Sequence, residues 1–303
     1  MAKWRRRATV GAAIGGSLAM LEFTLRAAVG LGDPPLYRVD PEVEYLMVPG
    51  TYRRFGRTIH VNSAHMRSSD AVLSAPTAGE RRLMVLGDSV VHGGSLTDQS
   101  SLATELLPGM ARELGIEIPL SVCNVSAGSW GPGNLLAFLK RFGTFGCSEA
   151  VIILNSGDAE DVPKFTGLDA DHPTRRPSSA LEDLIWNYGL RSIRRRSAVD
   201  ATPDDVSAAT SAFAELLDFL HDRGIQCHVV FHPSRQELAD RVDRIAPTLE
   251  DEAIARGLTC RSTSHRLEEA RNAGVEPYRD DIHPSEAGQR ALARTILDCL
   301  VGR

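Results

Sequence analysis

Ser89 lies in the segment Gly87-Asp88-Ser89-Val90-Val91-His92-Gly93, directly after the apolar run Leu83-Met84-Val85-Leu86. A serine hydroxyl is a weak nucleophile until a base takes its proton, and the base works best when a third group holds its ring. Asp280-Asp281-Ile282-His283-Pro284 offers both. An Asp three residues before a His on a turn can hold one imidazole nitrogen and leave the other facing a serine. Each half also has a plain structural reading. Ser89 can be a helix cap, and Asp280 to Pro284 a capped helix start with Pro284 in the first helical position.

These residues need a scaffold that brings positions about 190 apart together. From Arg82 onward the chain alternates short apolar runs with helical patterns. Strands are expected at 83–86, 120–125, 151–154 and 229–231, and helices over 99–114, 133–142, 203–223, 235–256 and 285–301. Thr202-Pro203-Asp204-Asp205 gives the third of these helices an N-cap, an early proline and two acids at the positive helix end, and Gly224 closes it. Repeated βα units imply an α/β fold: three layers, α/β/α, around a parallel sheet. Ser89 then stands at the carboxyl end of a buried strand, where open sheets of this kind place their sites. The helix after it would aim backbone N–H groups at a developing oxyanion. Residues 160–203 break the rhythm with Pro163, Pro173, Pro177 and the arginines Arg191, Arg194, Arg195 and Arg196. They read as an insertion that shapes the substrate site or as a solvated loop.

Strand, Gly-Asp-Ser and a late Asp-x-x-His-Pro before the last helix together resemble the SGNH (GDSL-type) hydrolase superfamily over roughly residues 82–302. The resemblance implies a flavodoxin-like fold in which Ser89 is the nucleophile and Asp280 and His283 complete the triad. It also implies that Gly128 or Ser129, in the loop Asn124-Val125-Ser126-Ala127-Gly128-Ser129, gives a backbone donor to the oxyanion hole. The family's third block is Gly-x-Asn-Asp. This chain has Asn155-Ser156-Gly157-Asp158, so Gly157 takes the place of the donor amide. Asn155, reaching from two residues earlier, or Asn134 is then the candidate replacement. Asn155 can equally be a strand-end residue that satisfies local backbone. His92, His228, His232, Asp158 and Asp161 are weaker candidates for the pocket.

The resemblance implies a serine esterase or deacylase. An O-acyltransferase would use the same triad, and a weakly active or inactive glycan-binding or assembly protein is the reading that the altered third block leaves open. The lead-in Leu36-Tyr37, Asp40-Pro41, Tyr45 and Val61-Asn62-Ser63 is similar to exported members associated with bacterial exopolysaccharide, cellulose included. That points to O-acyl groups of a polysaccharide as substrate.

The amino terminus points to the cell envelope. Lys3, Trp4, Arg5, Arg6 and Arg7 precede an apolar run from Ala8 to Leu21, which Glu22 and Arg26 interrupt. Residues 1–32 are therefore expected to be an export signal or uncleaved anchor with its basic flank inside. A packed amphipathic helix is the plainer alternative. Residues 33–80 read as a strand-and-loop extension, and 81–303 as the hydrolase domain. A net charge of −5 and 6% aromatic residues give no basic stripe or stacking surface for nucleic acid. None of the five cysteines has metal-ligand spacing, so they are read as buried thiols, and no metal or cofactor is expected.

Overall fold

The computed structural model describes residues 2–69, 76–116, 119–165, 168, 172–189, 201–242 and 246–302. Its centre is a parallel sheet of five strands in the order β6-β5-β7-β8-β9. These are β5 (Arg81–Gly87), β6 (Leu120–Ser126), β7 (Glu149–Leu154), β8 (Gln226–Phe231) and β9 (Cys260–Ser262). Both faces are covered, as the near-continuous apolar strands require. Met84 and Leu86 pack one way, against α4 (Pro132–Phe142), α6 (Pro203–His221) and α8 (Pro247–Ala255). Leu83 and Val85 pack the other way, against α3 (Ala103–Glu113) and α10 (Glu286–Leu300). The flavodoxin-like order expected from the sequence is the observed one.

The expected boundaries hold for β5, β6, α4 and α6. Thr202 caps α6 by accepting from the Asp205 N–H. The expected helix over 235–256 is instead two, α7 (Arg235–Ala239) and α8. Arg241 turns left-handed after α7, and Pro247, which has no N–H to give, opens α8. The three-residue β9 and α9 (Ser264–Asn272) fill a stretch where no element was expected. Pro284 does not open the last helix. It bridges to Tyr278, and Ser285 caps α10 by accepting from the Gly288 N–H.

Ahead of the sheet, α1 (Ala2–Thr24) runs on through a wider turn at Leu25–Val29. Two antiparallel hairpins follow, β1 (Tyr37–Asp40) with β2 (Glu44–Met47), and β3 (Gly50–Arg54) with β4 (Arg57–Val61). Val43, Tyr45, Leu46 and Met66 belong to the same apolar core as α4 and α6, so the extension is part of the domain's interior. Within the insertion, α5 (Ala180–Asp183) is described. Arg191, Arg194, Arg195 and Arg196 lie outside the described residues.

Candidate active site

The fold brings Ser89, His283 and Asp280 together at the carboxyl edge of the sheet, where strand order reverses between β5 and its two neighbours. Ser89 Oγ is 2.9 Å from His283 Nε2. His283 Nδ1 is 2.9 Å from each Asp280 oxygen, so the imidazole is clamped on its far side. Burial raises the Asp280 carboxyl, but the backbone N–H and ring of His283 and the Ile282 N–H outweigh it and hold it below its ordinary value. Asp280 is therefore an anion at neutral pH, the form that fixes the tautomer with Nε2 facing the serine.

Ser89 opens α2 (Ser89–His92), and Asp88 caps it by accepting from the Val90 N–H. That helix is a single turn, so Ser89 faces individual N–H groups and little of the helix dipole expected from the sequence. Among the described residues, the N–H groups of Ser89, Gly128 and Ser129 have no protein acceptor. Ser129 holds φ at +58°, which turns the chain at this loop. Asn155 is not a free donor. One amide hydrogen goes to Asp88 at 3.0 Å and the other to Asp158 at 3.0 Å, while its oxygen accepts from the Gly157 N–H. Asn134 is likewise committed, donating to the Val43 carbonyl and Glu44 and accepting from the Gly131 N–H. The place of a third, side-chain donor is thus filled by neither asparagine.

Residues 83–296 match the family described as GDSL-like lipase/acylhydrolase. The chain belongs to this family. A search of curated proteins found no match. Similar solved structures include a lipase/acylhydrolase from Enterococcus faecalis, 15% identical, covering 74% of this chain and 96% of that one with a TM-score of 0.46. A catalytic mutant of an acetylxylan esterase from Geobacillus stearothermophilus is 14% identical over 72% of this chain and 92% of that one, TM-score 0.45. The structure of TesA is 17% identical over 73% and 98%, TM-score 0.46.

In this acylhydrolase the Asp280–His283 turn is braced from three sides. His232, fully buried at the end of β8, reaches the Ile282 carbonyl with Nε2 at 3.1 Å and Thr263 Oγ1 with Nδ1 at 3.1 Å. Burial pushes its ring down to about 4, so it is neutral and donates to Ile282 through Nε2. Arg279 donates to the Gly93 carbonyl at 2.8 Å and to Thr97 at 2.6 Å, tying the turn to the loop behind the serine. At Gly288 a Cβ would lie 2.1 Å from the Pro277 carbonyl, so only glycine lets α10 approach the turn. A sequence reading singles out His232 but not this bracing role, and it passes over Arg279. The His-Pro pair at a strand end was the one available signal.

Among the described residues, no hydrogen bond joins His92, His228, Asp158 or Asp161 to Ser89, His283 or Asp280. His92 is buried and pushed well down by burial and the nearby Arg67, and its Nε2 faces Met47 Sδ at 3.0 Å. His228 lies midway along β8, well before the strand's carboxyl end. Burial raises the carboxyl of Asp88, burial and the neighbouring Asp88 raise that of Asp158, and the same two causes push Asp161 up to about 6. Among the described residues no group of three His, Cys, Asp or Glu could hold a metal ion. Cys123, Cys147 and Cys299 are buried, while Cys227 and Cys260 are only partly so.

Proposed function

We propose that this acylhydrolase is a serine esterase whose nucleophile is Ser89, with His283 as general base and Asp280 as its orienter. The observation that carries the reading is the continuous chain of 2.9 Å contacts from Ser89 Oγ through His283 to Asp280. His283 takes the hydroxyl proton as Ser89 attacks the ester carbonyl, and Asp280 stabilises the imidazolium. The Ser89 N–H and one from the Gly128–Ser129 loop receive the oxyanion. His283 then gives its proton to the departing alcohol, and water repeats the sequence to release the acid. With no side-chain amide in the hole, turnover is slower by roughly a hundredfold than with a third donor.

The natural ester is proposed to be an O-acyl group of an extracellular polysaccharide, on the likeness of the lead-in to exported members. Helix α1 is long and apolar enough to cross a membrane. We read it as a retained anchor, with Lys3 to Arg7 on the cytoplasmic side and the hydrolase domain outside. The committed amide of Asn155 favours a second reading, a weakly active glycan-binding or assembly protein.

Steady-state hydrolysis of an activated acetyl ester by the full-length protein separates them. The account expects turnover that Ser89→Ala reduces to background. A folded protein with no turnover on any ester supports the binding role. Product analysis with an acceptor glycan distinguishes free acid from acyl transfer, since both reactions use the same triad.

A further inference from the structure

The foot of α1 is built into the folded domain. Both carboxylate oxygens of Glu22 accept backbone N–H groups at the start of α5, from Ala180 at 2.8 Å and Leu181 at 3.0 Å. Arg26 donates to Glu22 at 2.5 Å and reaches the Ser178 carbonyl. Just beyond, the Phe55 N–H donates to the Val29 carbonyl at 2.6 Å, and the Gly32 N–H to Asp183 at 2.7 Å. Asp183 is fully buried and paired with Arg54. A Cβ on Gly30 would lie 2.6 Å from the Arg53 carbonyl, so helix foot and hairpin are in direct backbone contact. The two residues that interrupt the apolar run are thus the bolt between helix and enzyme. No flexible tether separates them.

Beside this joint the chain exposes apolar side chains. The turn that continues α5, Leu184–Gly189, carries Leu184, Ile185 and Trp186, which are 37%, 54% and 44% exposed. Trp186 follows six residues after Ala180, whose N–H is held by Glu22 at the foot of α1. The neighbouring α1 presents Val10, Ile14, Leu18, Leu21 and Phe23 with similar exposure. An exposed apolar cluster holding a tryptophan, hydrogen-bonded to the end of a membrane helix, has the chemistry of an interfacial anchor.

We propose that α1 is never removed and that Leu184, Ile185 and Trp186 dock in the headgroup layer of the same bilayer, seating the catalytic domain on the membrane surface. The proposal rests on the reading of α1 as an anchor. It implies that acyl esters are processed at the membrane face, within reach of a rigidly held site.

The test uses the full-length protein in phospholipid vesicles with and without brominated acyl chains, which quench only tryptophans in contact with lipid. Trp130 is buried in the protein, so Trp4 and Trp186 are the reporters. Trp186→Phe is expected to remove about half of the quenchable emission, since Trp4 supplies the rest. Glu22→Ala with Arg26→Ala is expected to keep the Trp4 quenching and to lower the Trp186 share at least about twofold, because it releases α5 from the helix foot. Quenching of Trp4 with none from Trp186 overturns the docking and leaves the anchor standing. Trp186 emission that shifts with protein concentration but not with brominated lipid assigns the patch to a second copy and also overturns it. Membrane-extracted protein whose intact mass lacks the first 20 or so residues refutes the anchor itself.

Discussion

Asn155 holds apart two buried carboxylates that would otherwise face each other. Its amide donates to Asp88 and Asp158, and Asp88 Oδ2 lies 3.2 Å from Ser89 Oγ. The residue that looked like a misplaced oxyanion donor is a spacer behind Ser89. Asn155→Asp puts a third acid on that spot and removes both donors. The variant is expected to lose about 1–3 kcal/mol of stability from the broken buried bonds, and more at pH 8 than at pH 5, where the acids share protons. Chemical denaturation at the two pH values measures the difference. An equal loss at both would show that the carboxylates do not interact. The meeting of Asp280 with His283 was legible because their spacing encodes their geometry, with Asp and His three apart on one turn. The fate of Asn155 was not legible, since it depends on Asp88, 67 positions away.

At the level of elements, the end of β8 and the start of α7 hold the Asp280–His283 turn. Besides His232, the Arg235 N–H donates to the Asp281 carbonyl at 2.7 Å, and the Tyr278 hydroxyl to the Pro233 carbonyl at 2.6 Å. Leucine at position 232 leaves the Ile282 carbonyl without its donor. His232→Leu is therefore expected to lower kcat at nearly unchanged KM, because it loosens His283 without touching substrate. The wild-type ring also carries a pH signature. Its folded value, about 4, lies below the ordinary 6.5. Between those limits the unfolded chain binds more protons, so the stability from the neutral ring is full above pH 6.5 and is lost as pH falls toward 4. The loss amounts to about 3 kcal/mol. Stability measured across this window should fall steeply in the wild type and less so in His232→Leu. Parallel curves would contradict the assignment. The βα rhythm was readable because buried parallel strands are apolar runs. The three-residue β9 and the break between α7 and α8 were not, because tertiary contacts and one proline outweighed a helical pattern.

At the scale of the whole molecule, the extension is structural. Arg67 is fully buried and donates to the carbonyls of His92, Gly94 and Thr97, in the segment that follows Ser89. Burial lowers its guanidinium to about 10, so it stays charged and depends on those carbonyls and on Gln99, which accepts from its Nε at 3.4 Å, in place of water. Arg67→Met is expected to cost about 3 kcal/mol or more and Arg67→Lys nearly as much, since a point charge cannot span three carbonyls. A chain starting at residue 81 is expected not to fold, because it lacks Arg67 and the core residues Val43, Tyr45, Leu46 and Met66. Circular dichroism and thermal melting of the purified variants check both. A cooperative melt from the truncated chain would return the extension to the status of an appendage. The family match itself begins only at residue 83, so the recognisable sequence is smaller than the folding unit.

The proposed reaction turns on one atom, Ser89 Oγ. Its activation is tested most directly by treating the full-length protein with an organophosphonate that labels activated serines, and locating the adduct by peptide mass. The account predicts one adduct, on Ser89, that is absent in Ser89→Ala and forms at least about a thousandfold more slowly in His283→Ala. An adduct on another residue, or equal labelling without His283, would contradict it.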